Sequence, residues 1–141
     1  MAVWFLALVL AATLAFAAWV RLAPSDPAAW HVPPVAEGPW DEVVPLTGAA
    51  SLRLSATKGA PADLLARLDA IALATPRTTR LAGSVEEGRI TWVTRTALWG
   101  FPDYTTAEVR GDGLYLHARL RFGREDMGVN AARLRDWLNR L

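Results

Sequence analysis

The feature that most constrains this chain is an uninterrupted apolar block at its N-terminus. Ala2 to Val20 are nineteen residues with one polar side chain, Thr13, and no charge. As a helix rising 1.5 Å per residue the block spans about 28 Å, close to the hydrocarbon thickness of a bilayer. Two fates compete for such a segment. Ala15-Phe16-Ala17 has the small-x-small pattern that signal peptidase reads. Against cleavage, no Lys or Arg precedes the run, and the run is longer than the roughly 7–15 residues of a usual signal core. A retained single-pass anchor over residues 1–22, in contact with lipid through residues 2–20, is therefore the expectation. Orientation is weakly encoded, because Arg21, soon followed by Asp26, is the only charge near the exit. So little cation after an N-terminal anchor favours export of the C-terminal part. The expected location is the inner (cytoplasmic) membrane, with the C-terminal domain in the periplasm.

Beyond the block the composition turns ordinary. Of 141 residues, 52% are hydrophobic and 21% charged, and the portion after Leu22 carries 14 basic and 14 acidic side chains. A neutral domain is a poor nucleic-acid partner, since phosphate contacts need a basic excess. The chain has no cysteine, which excludes disulfides, thiol catalysis and Cys-ligated zinc. The two histidines, His31 and His117, are far apart, and no acidic cluster has the spacing of a calcium or zinc site. No phosphate-cradling glycine motif and no G-x-S-x-G elbow is present. No catalytic residue, metal or cofactor is expected.

Six of the nine prolines, at positions 24, 27, 33, 34, 39 and 45, fall in one stretch. Such a segment favours extended conformations, so residues 23–45 read as a Pro/Trp-rich tether. Trp4, Trp19, Trp30 and Trp40 lie in the anchor and tether, and they are the candidate partner-binding residues. Trp30 and Trp40 have a simpler alternative role, pinning the tether to the domain.

Residues 46–141 read as one α+β domain. Pro61 suits a first helical turn, and Leu64, Leu65, Leu68, Ile71 and Ala72 recur at helical spacing before Thr75-Pro76. Asn130 is placed to cap a C-terminal helix striped by Leu134, Trp137, Leu138 and Leu141. Between the helices the period changes to two. Leu114, Leu116, Ala118, Leu120 and Phe122 alternate with Tyr115, His117, Arg119 and Arg121. Turns at Asp112-Gly113 and Glu87-Gly88, and a loop at Gly100–Asp103, then give registers in which apolar meets apolar. The expectation is a four-stranded antiparallel meander over 78–86, 89–99, 104–111 and 114–122. Residues 51–55 are a possible edge strand. Both helices should cover one face of the meander.

On the derived polar face one row reads Arg80, Arg95, Glu108, His117. Arg80 opposite Arg95 is unfavourable unless an anion lies between them. Arg80 and Arg95 are therefore candidate anion-binding residues, with Glu108 as an internal alternative. Arg119, Arg121 and Arg133 are candidates of a second kind, able to converge on a bound anion beside the N-terminus of the final helix or on Asp126 as internal partner. Glu108 beside His117 could serve as acid and base, although such neighbours are far more often simply paired.

The segment from Leu116 to Leu138 resembles the C-terminal signature of the domain-of-unknown-function family 1499. Basic residues on a last strand (Arg119, Arg121) precede Gly123, Asp126, Gly128 and Asn130, then Arg133 on a final helix. The Gly100-Phe101-Pro102-Asp103 loop, the strand around Arg80–Ser84 and the Ala23-Pro24-Ser25-Asp26-Pro27 stretch are similar to the same family. The resemblance implies a bacterial, membrane-associated protein and carries over no activity. Two function classes remain. The first is a membrane-anchored non-catalytic interaction module with a membrane protein partner, an accessory or stabilising subunit of a larger complex. The alternative is a periplasmic binding domain for an anionic or lipid-like small ligand.

Overall fold

The computed structural model describes all residues, Met1–Leu141. Helix α1 (Ala2–Leu22) is the apolar block, long and apolar enough to cross a membrane. A one-turn helix α2 (Pro27–Trp30) comes next, capped by Asp26, whose carboxylate accepts the Ala28 N–H at 3.0 Å. Then come strands β1 (Val43–Leu46) and β2 (Ala49–Ser55), helix α3 (Pro61–Leu73), strands β3 (Thr78–Ser84), β4 (Arg89–Arg95), β5 (Pro102–Arg110) and β6 (Gly113–Leu120), and helix α4 (Val129–Arg140).

The architecture is α+β, and the sheet has six strands rather than four, in the order β1-β2-β6-β5-β4-β3. The meander β3–β6 is as expected in order and direction. The segment expected at an edge, β2, is interior: it pairs with β6 on one side and β1 on the other. β1 takes the edge, where Pro45, lacking an N–H, is tolerated. The anticipated division between tether and domain at residue 45 thus falls inside a strand.

One row across the helix-covered face explains the core. Val43 lies opposite Leu52, Leu52 opposite Leu116, Leu116 opposite Ala107, and Ala107 opposite Ile90. Helix α3 lays Leu64, Leu65, Leu68 and Ala72 on this face, and α4 adds Ala131, Leu134 and Trp137. Trp92 and Trp137 meet edge to face at 5.6 Å between centroids, so the two helices and the sheet share one core.

The hairpin registers depart from expectation. In β5–β6 Arg110 pairs with Gly113, so the turn is Gly111-Asp112 and every partner moves by two residues. None of Gly111, Asp112 and Gly113 has a positive φ, which excludes the type I′ turn. Gly113 serves another purpose. A Cβ there would run into the Leu54 carbonyl and the Trp40 ring, so this glycine lets β2 and an indole approach. A shift of two preserves the faces, and Glu108 still lies opposite the helices, beside Arg89 and Tyr115.

Between β3 and β4, Ser84 pairs with Arg89 across the turn Val85–Gly88, and a bulge between Arg80 and Ala82 breaks the alternation. Arg80 then pairs with Trp92 and faces α3, not Arg95. Strand β4 stops at Arg95 instead of Trp99, because Thr96 and Phe101 close a loop on each other. The Thr96 N–H donates to the Phe101 carbonyl, and the Thr96 hydroxyl accepts the Phe101 N–H, both at 3.0 Å. At the start of α4, Asp126 replaces Asn130 as the capping side chain. It accepts the N–H groups of Gly128 and Asn130 at 3.1 and 2.8 Å, while Asn130 is buried inside the helix.

Candidate functional site

The face away from the helices is not a solvated surface. Residues 24–38 lie across it as a strap, held by the polar row that a two-residue period predicts. Trp30 stacks on Tyr104 with centroids 3.9 Å apart and planes 15° from parallel, and the Arg119 guanidinium sits 4.7 Å from the indole centre. His31 Nδ1 meets the Thr91 hydroxyl at 2.9 Å, and that hydroxyl meets Thr106 at 2.8 Å. Arg110 donates to the Pro34 carbonyl at 2.8 Å, and Arg121 to the Pro24 carbonyl at 2.9 Å. Outside α2 the strap has no regular structure, which is offset where its carbonyls are taken up by Arg110 of β5 and by Arg121 just past β6. Trp40 lies farther along, under the Arg53 guanidinium at 4.4 Å and edge-on to Tyr115.

The four tryptophans assigned to partner binding thus divide. Trp30 and Trp40 are engaged within the chain. Trp4 and Trp19 are exposed on α1, with Trp19 edge-on to Phe122 at 5.3 Å.

The five candidate arginines do not converge. Arg80 pairs with Asp69 of α3 on the helix side. Arg119 and Arg121 hold the strap. Arg133 reaches Asp103 at 3.0 Å in a pair whose side chains are under a tenth exposed, so its partner is Asp103 and not Asp126. Burial raises the Asp103 carboxyl above its usual range, and Arg133 only partly restores it. Arg95 is at the end of β4, opposite Pro102, its guanidinium donating to the Gly100 carbonyl at 2.9 Å.

Glu108 and His117 are not an acid–base pair. Glu108 is gripped by Arg110 at 2.9 Å and by Arg89. Burial opposes its ionisation, yet the two guanidiniums prevail and hold the carboxyl below the usual range. His117 lies opposite Thr106 and beneath Val32–Val35 of the strap, lining a small cavity of about 110 Å³ with Arg119. Burial, reinforced by Arg119, pushes its imidazole down.

A different group of arginines does meet. Arg21 at the end of α1, Arg77 after α3 and Arg95 line an open cleft of about 410 Å³ with Thr79, Thr96 and Gly100. Arg21 donates to the Leu98 carbonyl at 2.6 Å, Arg77 to the Arg95 carbonyl at 3.0 Å, and none of the three has a carboxylate partner. The approach needs Gly100, where a Cβ would lie 2.9 Å from the Arg21 side chain. Of this cluster, sequence reasoning named Arg95 alone as a candidate for an anion, because its members come from α1, the turn after α3 and β4, with no spacing to betray them. Arg21 was legible only as a charge flanking the apolar block.

Beside the cleft the loop 96–101 exposes Leu98 and Trp99 and packs Phe101 against Phe16 of α1, with centroids 6.2 Å apart. Val20 is fully buried there and is the one buried side chain of α1. A second concavity, about 230 Å³ between α3, Leu54 and the C-terminus, is smaller than common ligand pockets, which run from about 300 Å³.

No curated protein and no solved structure matches the chain. The family model described as "Protein of unknown function (DUF1499)" matches residues 33–141, from the middle of the strap through β1–β6 to the end of α4. That match takes in the whole sheet and both packed helices, and the chain accordingly belongs to the DUF1499 family.

Proposed function

We propose that this protein is a membrane-anchored, non-catalytic interaction module, an accessory or stabilising subunit of a larger membrane protein complex. The inner membrane holds α1, and the folded domain faces the periplasm. The observation that carries this reading is the imbalance within α1. Only Val20 is buried against the chain's own domain, while Val3, Trp4, Phe5, Leu6 and Leu8 are all exposed. A helix so apolar needs lipid or a protein partner around it. Its end is also fixed to loop 96–101 through Arg21 and Phe16 and to Phe122, just past β6, through Trp19, so a partner gripping α1 also positions the domain. Of the groups most able to do acid–base chemistry, Glu108 is committed to two ion pairs and His117 is covered by the strap, which favours a binding role over catalysis. Ala7, Ala11, Ala15 and Ala18 recur on α1 and permit close helix approach.

Alkaline carbonate extraction tests the anchor: the chain stays in the pellet, and release of a fragment beginning near Ala18 defeats the reading. A phosphatase fused after Leu141 is active if the domain is exported and inactive if the orientation is reversed. Purified in mild detergent, the full chain should give a stoichiometric membrane complex, lost when residues 2–18 are replaced by a generic leucine helix. Equal binding by residues 23–141 alone would reduce α1 to a tether.

A further inference from the structure

Three arginines without a carboxylate partner line one open cleft where the end of α1 meets loop 96–101, and the apolar side chains of that loop project beside them. We infer that the cleft of Arg21, Arg77 and Arg95 binds the phosphate of an anionic phospholipid headgroup, in the leaflet on the domain's own side, while Leu98 and Trp99 enter the acyl region. This rests on α1 lying in the bilayer.

The depth is set by helix geometry. The 21 residues of α1 span about 31 Å, the whole hydrocarbon thickness, so the hydrocarbon boundary lies near Arg21. Phe101 packs on Phe16, and Trp99 and Phe101 line a groove with Ala12, Thr13 and Phe16. Those positions are five to nine residues before Arg21, or about 8–13 Å inside the boundary. The loop therefore lies within the bilayer's outer region whenever α1 crosses it. Its exposed side chains suit that depth, Leu98 being 74% exposed and Trp99 39%. The cleft then sits at headgroup level, just beyond the hydrocarbon.

The chemistry fits a phosphate. Like charges gathered without an acid repel one another, and a bridging anion relieves that repulsion. Backbone carbonyls aim the guanidiniums: Leu98 and Gly100 hold Arg21 and Arg95, and the Arg95 carbonyl holds Arg77. Each guanidinium has five N–H donors, so most remain free for oxygen ligands. Thr79 and Thr96 add hydroxyls at the rim.

The test uses the full chain in nanodiscs of equal parts phosphatidylglycerol and phosphatidylcholine, with retained lipids counted by native mass spectrometry. Phosphatidylglycerol should be retained in excess. Each of Arg21→Gln, Arg77→Gln and Arg95→Gln should lower that excess about fivefold. Arg21 and Arg77, each bonded to a single carbonyl where Arg95 is bonded to two, are the variants least able to disturb the fold. Excess inorganic phosphate should not displace the lipid; displacement would make the site one for a free anion and overturn the lipid source. Equal retention of both lipids, or an excess unchanged in all three variants, overturns the site itself. The chain has no native cysteine, so Leu98→Cys carries a unique environment-sensitive fluorophore. Quenching by acyl-chain nitroxides places the loop in the bilayer, and quenching only by aqueous iodide refutes its immersion. Carbonate extraction separates failure of the anchor from failure of the cleft, because a chain that stays in the pellet without lipid preference loses only the latter.

Discussion

Asp69 gathers the helix side of the sheet around one carboxylate. Its Oδ1 accepts the Trp92 indole N–H at 2.9 Å, and the carboxylate pairs with Arg80. Asp69→Ala leaves a fully buried indole N–H unpaired, at about 1–3 kcal/mol, whereas the rim-exposed Arg80 adds little. Asp69→Asn keeps an acceptor and should cost less than half as much, as read from urea midpoints. The Arg133–Asp103 pair behaves differently, since both partners are buried. Arg133→Met strands a carboxylate and should cost about 3–5 kcal/mol, and adding Asp103→Asn should recover most of it. Additive losses in that double-mutant cycle would show that the pair is not coupled. The histidines give a pH signature. His31 and His117 are both held below the usual histidine range, primarily by burial. Their stabilisation is complete above the unfolded value near 6.5 and is lost as pH falls through the interval down to the folded values. Asp103, raised by burial, acts in the opposite sense and regains stability as it protonates. The urea midpoint should therefore drop as pH falls below about 6.5, and less so in a His31→Gln, His117→Gln double variant. Parallel curves for the two proteins would contradict this.

The strap, unlike the strands it covers, is held to the sheet by side chains rather than by a ladder. Trp30 is its central fastening, through Tyr104 and Arg119. Trp30→Ala should cost about 2–3 kcal/mol, less than a wholly buried tryptophan because the indole is only half-buried. Amide exchange should accelerate in residues 24–38 and stay slow in β5 and β6, where each strand is paired on both sides. Uniform acceleration would mean that the strap and sheet open as one unit. Alternation on β5 and β6 made the strap's landing face legible as polar and aromatic. That the face was covered was not legible, because prolines and tryptophans in the tether specify neither where a segment lies nor what it touches.

At the scale of the whole molecule, α1 contributes one buried side chain and a few aromatic contacts at its end. Residues 23–141 should consequently fold alone, with a Tm lowered by roughly 5 °C through the loss of Val20 burial. Far-ultraviolet circular dichroism and a thermal scan check this, and an unfolded truncate would show α1 to be part of the core. The truncate should also self-associate through the uncovered Phe101 and Phe122 unless detergent is present, since both pack at the docked end of α1.

Features written in local periodicity were legible from the chain alone. The apolar helix, the two amphipathic helices, the meander's direction and the inward faces of β2, β4, β5 and β6 come from the spacing of Leu, Ile, Val and Trp, because burial acts on each side chain wherever its partners lie; β1, hidden in the proline-rich tether, and the bulged β3 were not legible. Tertiary structure decided the rest. The bulge that turned Arg80 toward Asp69 and the use of Gly113 to admit Trp40 depend on neighbours remote in the chain. The same holds for the cleft of Arg21, Arg77 and Arg95, since charges from α1, the turn after α3 and β4 acquire a shared environment only when the chain has closed around them.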